Sequence, residues 1–299
     1  MPISNPIYRE FVDLGLIDAG AVELFAARTR DREIPVYRDT SSKVIFLERV
    51  ETSDSYYQNE KPADRQGDRI LVPLSAGAVV RTAALDDARR RFGQLADRIQ
   101  GKVICDFGCG YGEFLKRAGE VAAKACGVEL RKDCLDHIAK NDPGADIRER
   151  VADHACEFDV VTMFHVFEHI PFQVNVLKAI RGKLKPGGEI VVEVPHAEDF
   201  LIQSIDIPEF RAFTFWSEHL VLHTRVSLRK VMQAAGFKDV EVSPYQRYGF
   251  TNHLHWFLER KPGGHEAFAH FRNAALEEAY KKAREADFTC DTLIATARA

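Results

Sequence analysis

Residues Val103–Leu115 read VICDFGCGYGEFL. A short apolar run ends in an aspartate, and glycines then stand at every second position, 108, 110 and 112. KVICDF has the length and composition of a buried strand, and GEFLKRAGEVAA reads as a helix. Glycines between the two permit backbone angles closed to other residues and let a ligand approach the main chain. Downstream the alternation continues. KACGVEL reads as a strand, RKDCLDHIAKN as a helix stopped by Pro143, and FDVVTMFHVF as a strand. FQVNVLKAIRGKL is an amphipathic helix that ends at KPGG, and EIVVEVP is the next strand. RVSLRKVMQAAGF is a helix with a glycine stop, followed by strand segments KDVEVSPYQ and CDTLIATA. This order predicts an α/β fold, a doubly wound and mainly parallel sheet with helices on both faces.

Upstream the pattern is different. A chain of 299 residues has room for one large α/β domain and an appendage. Residues 1–95 read as a small α+β cap and residues 96–299 as the sheet domain. Within the cap, YREFVDLGLI and AGAVELFAARTR read as short helices, and IPVYRD and KVIFLER as a hairpin. SDSYYQNEKPADRQGD reads as a loop, with Tyr56 and Tyr57 as candidates for a lid. RTAALDDARRRFGQLADRIQG has helical periodicity, with Leu85, Phe92, Leu95 and Ile99 on one side.

Composition narrows the function classes. The net charge is −4, which gives a nucleic-acid partner no general electrostatic support. No apolar run approaches the roughly 20 residues of a membrane helix, and the N-terminus has no secretory-signal pattern. The six cysteines form no CxxC pair, which favours free thiols in a reducing cytoplasm.

The glycine turn also sorts its ligand. In a doubly wound sheet, ligands sit at the carboxyl ends of the strands. A dinucleotide fingerprint would need a third glycine at 113, where Glu113 would repel a pyrophosphate. No Gly-Lys-Ser/Thr follows, which excludes a P-loop. Asp106 suits an ammonium group, and Glu129, ending the next strand, suits the two hydroxyls of a ribose. S-adenosylmethionine fits a ligand with a ribose and an ammonium group but no pyrophosphate. DFGCGYG, GVEL, FDVVTMFHVFEHI and LKPGGEIVVEVP, in that order over residues 100–245, resemble a class I S-adenosylmethionine-dependent methyltransferase with its Rossmann-like sheet. The resemblance implies that Asp106, Gly108 and Gly110 contact the methionine part and that Glu129 holds the ribose, with Phe107, Gly112 and Leu130 also at the cofactor. It places Asp153 near the adenine amine and Phe164 at the end of the fourth strand of that domain.

The acceptor side is less determined. A hydroxyl acceptor must lose a proton, and histidine is the usual side chain for that near neutral pH. Nine of the eleven histidines lie at or beyond His165. His165 ends a strand, and Glu218 and His219 resemble a Glu-His pair of sugar C-methyltransferases. These three are the candidate catalytic residues. His196 follows a strand end, and Arg247, Asn252 and His253 lie in a run rich in polar and aromatic groups. These four are candidates for substrate binding, and the run resembles methyltransferases of bacterial surface-polysaccharide gene clusters. The expected acceptor is a sugar, nucleotide sugar or glycan hydroxyl. C-methylation of a keto sugar, methylation of a phosphate-bearing metabolite, and a non-catalytic cofactor-binding module remain alternatives. No four-cysteine zinc module precedes Cys105. His253 and His255 share a face if they lie on a strand, but they lack a third metal ligand, so no metal is expected.

Overall fold

A computed structural model describes residues 3–52, 56, 58 and 83–299. Tyr57 and most of the loop around it lie outside the described residues, while Tyr56 is half-buried. The N-terminal elements are α1 (Pro6–Asp13), β1 (Val22–Ala26), β2 (Val36–Asp39), β3 (Ile45–Leu47) and α2 (Ala83–Ile99). Then come β4 (Val103–Phe107), α3 (Glu113–Ala118), β5 (Lys124–Val128), α4 (Lys132–Asn141), β6 (Asp146–Arg148) and β7 (Phe158–Phe164). Next are α5 (Gln173–Arg181), β8 (Leu184–Pro195), α6 (Phe200–Gln203), α7 (Pro208–Thr214) and β9 (Val221–Leu222). The chain ends with α8 (Arg225–Ala234), β10 (Lys238–Tyr245), α9 (Phe250–Glu259), α10 (Gly264–Ala267), α11 (Ala274–Ala286) and β11 (Thr292–Arg298).

Seven strands form one sheet in the order β10-β11-β8-β7-β4-β5-β6. The pairs β4–β5, β4–β7 and β5–β6 are parallel. From β4 the chain moves to one side through β5 and β6 and returns on the other at β7, so β4 marks the topological switch. This is the doubly wound α/β fold expected from the alternation. A second sheet, β1-β2-β3-β9, is antiparallel in its registered pairs. No helix of the described residues is long and apolar enough to cross a membrane.

The chain divides into two compact units. One unit comprises residues 52–164, 179–191 and 298–299. Its sheet core is Ile104, Cys105, Cys126, Val160, Val161 and Met163, all fully buried. Strands covered on both faces read as continuous apolar runs, which is why the sequence showed them clearly. All six cysteines are free thiols, and five of them are buried.

The other unit comprises residues 1–51, 165–178 and 192–297. Two sequence expectations are corrected in it. AGAVELFAARTR is not a helix. It makes a single 3-10 turn at Ala19–Ala21 and then β1, because Val22–Ala26 pairs antiparallel with β2. Pairing with a neighbour strand overrides the local helical pattern. FTNHLHWFLE is not a strand but α9. Residues two apart on a helix point about 200° apart, so His253 and His255 do not share a face. Gly249 begins α9 because a Cβ there would collide with the Glu277 carboxylate, whose Oε1 accepts the Thr251 backbone N–H. Trp256 is buried against Leu201 and Ile207, with the Phe210 and Phe213 rings of α7 on it. It packs against helices, not on the sheet.

Candidate active site

The glycine turn lies at the carboxyl end of β4. Gly108, Gly110 and Gly112 have φ of +76°, +55° and +81°, the left-handed region in which a side chain is strained. Gly108 and Cys109 donate their backbone N–H groups to Val128 O, which docks the turn on the end of β5. Glu129 fixes it further. Its Oε2 accepts the Gly110 N–H at 2.7 Å, and its Oε1 accepts the N–H groups of Leu130 and Arg131 at 2.8 Å each. A Cβ placed on Gly110 would meet nothing within 4 Å, so the space over this backbone is open.

Asp106 sits directly before the turn and is buried, with its Oδ1 accepting the Thr162 hydroxyl at 2.7 Å. Burial pushes its pKa up to about 6. The Thr162 bond and the Arg91 cation oppose that rise, and the Glu129 charge adds to it. Arg91 comes from α2 and lies over the Phe164 ring, 4.6 Å from its centroid, while Phe164 meets Phe114 edge-on. Sequence reasoning missed Arg91, and also the buried Arg131. Arg131 bridges the Tyr111 hydroxyl and Asp133 beside Glu129. Phe107 and Leu130 are half-buried at the ends of β4 and β5. Asp153 ends a one-turn 3-10 helix and is exposed; its neighbour His154 reaches β5 through an Nε2 contact to Gly127 O at 3.1 Å.

In the other unit, His165 begins a cluster of histidines and carboxylates. His165 has φ of +53°, and its Nδ1 lies 3.2 Å from Glu168 Oε1. Its Nε2 lies 3.3 Å from Glu193 Oε1, an ion-pair distance without hydrogen-bond alignment. Burial disfavours the imidazolium, but the two carboxylates outweigh it and the His165 pKa is raised. His169 Nε2 lies 3.9 Å from Glu168 Oε1, and its Nδ1 lies 3.8 Å from Glu218 Oε2. The His219 ring meets His169 edge-on, centroids 5.0 Å apart. Leu220 holds the two segments together by donating its backbone N–H to Glu168 O at 2.9 Å. Asn5 donates in turn to Leu220 O at 3.1 Å and to Leu47 O at 2.9 Å. The three candidate catalytic residues therefore share one cluster, and the contact of Glu218 with His169 joins them.

Three of the four candidate substrate residues meet around Asp291: its backbone O accepts the His196 N–H at 2.9 Å, its carboxylate accepts the Arg247 N–H, and Gln246 links that carboxylate to His253. His196 is buried, with Nδ1 2.9 Å from Cys290 O. The Arg247 backbone N–H donates to Asp291. Asn252 is buried on α9. His253 is buried against Phe200, with Nδ1 2.8 Å from the Tyr280 hydroxyl. Burial drives its pKa down to about 4, so it is neutral, and Arg284 adds to the effect.

A family profile described as "Methyltransferase domain" matches residues 80–242. The chain belongs to this family. Its methyltransferase domain is similar to two curated proteins named "Ubiquinone biosynthesis O-methyltransferase". The one from Proteus mirabilis is 30% identical over 104 residues, covering 32% of this chain and 42% of that protein. The one from Citrobacter koseri is 30% identical over 112 residues, covering 33% and 46%. The chain thus spans less than half the length of these relatives. A solved S-adenosylmethionine-dependent methyltransferase from Archaeoglobus fulgidus superposes with a TM-score of 0.51 at 16% identity, covering 72% of this chain and 94% of that one. That likeness shows the fold.

S-adenosylmethionine is the cofactor of the methyltransferase domain, and the cradle fits it. The backbone over Gly110 is open, Asp106 is a buried carboxylate that a cation would relieve, and Glu129 keeps acceptor capacity. A carboxylate has about four acceptor directions, and backbone N–H groups occupy three on Glu129.

Proposed function

We propose that this chain transfers a methyl group from S-adenosylmethionine to a hydroxyl of a small polar acceptor. The histidine–carboxylate cluster carries this reading, because its His165, Glu168 and His169 follow β7 without a break, where a class I methyltransferase handles its acceptor. In this reading Asp106 binds the ammonium group, Glu129 the ribose hydroxyls and Asp153 the adenine amine, with Phe107, Leu130 and Phe164 alongside. The bound cofactor supplies a methyl group on a sulfonium, whose C–S bonding pair leaves with sulfur as the oxygen–methyl bond forms. The chain's own task is to take up the hydroxyl proton. Both ring nitrogens of His165 face carboxylates. The proton-handling role therefore falls to the Glu168, His169 and His219 side, with Glu218 positioning His169.

The names of the curated relatives support O-methylation of a small molecule. Sugar, nucleotide-sugar and glycan hydroxyls come first in the order of testing, from the resemblance to surface-polysaccharide methyltransferases. We place the reaction in the cytoplasm, where six free thiols persist. The test is incubation with labelled S-adenosylmethionine and fractionated hydroxyl-bearing metabolites, including sugar nucleotides. Label should move to a hydroxyl, and His219→Ala should lower turnover more than cofactor affinity. Tight cofactor binding with no transfer to any fraction would leave a binding module and overturn the proposal.

A further inference from the structure

We propose that Glu168, His169 and His219 form a binding site for one divalent metal ion. A carboxylate oxygen of Glu168 and one ring nitrogen of each histidine lie within 4.8 Å of one another. Ligand atoms about 2.1 Å from a common ion stand about 3.0–3.4 Å apart. The 3.9 Å between His169 Nε2 and Glu168 Oε1 closes to that with a small side-chain rotation.

Two further observations point to an ion. Glu168 is fully buried, and its Oε2 has no hydrogen-bond partner among the described residues. A buried carboxylate oxygen without a donor is costly, and a cation satisfies it. The second observation is the far side of His169. Its Nδ1 faces Glu218 Oε2 at 3.8 Å while its Nε2 faces Glu168. Metal-bound imidazoles characteristically direct their outer nitrogen to a carboxylate, which fixes the tautomer. His165, at 3.2 Å from Glu168 Oε1, orients the carboxylate in the same way.

Two imidazoles and one carboxylate favour Mn2+, Fe2+, Co2+ or Zn2+ over Mg2+ and Ca2+, and three protein ligands leave coordination positions open. This deepens the hydroxyl-acceptor reading and rests on it for its chemistry, though ion binding itself does not. An acceptor hydroxyl in an open position would release its proton to water near neutral pH. An oxygen lone pair then makes the O–CH3 bond, and the S–CH3 pair stays with sulfur. His219 is in that case a metal ligand and not the base.

The test uses the full chain, stripped with EDTA and desalted. Mn2+ is titrated in and followed by its electron paramagnetic resonance signal, and Co2+ by visible absorption. Saturable binding of a single ion is expected. His169→Ala and His219→Ala, both at half-buried positions, should each weaken it by about tenfold or more. Affinity for S-adenosylhomocysteine should stay unchanged in both, which shows that the chain still folds. Glu168→Gln should weaken the ion likewise, and the two histidine variants decide if that chain fails to fold. Absence of binding up to about 1 mM ion, or binding that survives both histidine substitutions, overturns the site. Methyl transfer that persists in the stripped chain, with no ion bound on titration, leaves the function standing and the metal site refuted. Ion binding without transfer to any hydroxyl does the opposite.

Discussion

Asp106→Asn should make the chain more stable at alkaline pH while weakening its hold on the cofactor. Asp106 has a pKa of about 6 against an ordinary 3.8, and burial is the main cause. At about 1.4 kcal/mol per pH unit, the ionised side chain costs the folded state about 3 kcal/mol at pH 8. The direction follows from linkage. An acid raised on folding costs nothing below its unfolded pKa, and the cost grows as pH rises towards the folded value. At pH 4 it is only about 0.6 kcal/mol. Asparagine keeps an oxygen for the Thr162 hydroxyl and carries no charge. Thermal unfolding at both pH values is the assay. The variant should melt several degrees higher at pH 8 and almost level with the parent at pH 4. Cofactor affinity, measured by calorimetry at pH 8, should fall by about tenfold or more. A variant no more stable at pH 8, or one equally stabilised at both pH values, refutes a desolvated, ionised Asp106.

Glu129→Gln should leave far-ultraviolet dichroism unchanged and weaken cofactor binding by about tenfold or more; unchanged affinity would remove Glu129 from the ribose site. Gly110→Ala should lower stability by only about 1–2 kcal/mol, since φ of +55° is strained but no atom is struck, yet it should abolish cofactor binding. Trp256→Ala should cost about 3–5 kcal/mol in denaturant unfolding, because it empties a core formed with α7. His253 is buried neutral, so its stability contribution is present above pH 6.5 and is lost as pH falls towards about 4. His253→Phe should flatten that part of the acid-unfolding curve, and an unaltered curve would mean that His253 is not the titrating group.

β4, β5 and β7 were legible because their buried residues read as apolar runs, whereas the parallel strand β6, half-exposed and three residues long, carries no such run. The cradle was legible because its three glycines answer a local backbone requirement. The α9 segment was not. The residues it buries include Thr251, Asn252, His253 and His255, and buried polar groups erase the apolar periodicity that marks a helix. β1 was misread because its strand form rests on pairing with the neighbouring β2, which its own residues do not encode. The histidine cluster was half legible. Glu168 and His169 are adjacent in sequence, whereas His219 joins them through the backbone bond from Leu220 to Glu168, and no local pattern encodes such a meeting. Arg91 looked like one more charge on an amphipathic helix.

The side chain of Asn5 ties the first turn of α1 to Leu220, 215 residues away. At a synthesis rate of about 5–20 residues per second, the N-terminus emerges about 10–40 s before its partner exists. During that interval α1 has only the β3 segment to dock on, through Asn5 to Leu47 O and Glu48 O, and the histidine segment around residue 219 has not yet been translated. The cofactor cradle, by contrast, is complete once residue 164 has emerged. The protein should therefore acquire its donor pocket early in synthesis and its acceptor-side cluster late. A nascent chain arrested after residue 190 would test whether the first half of the chemistry can form without the second.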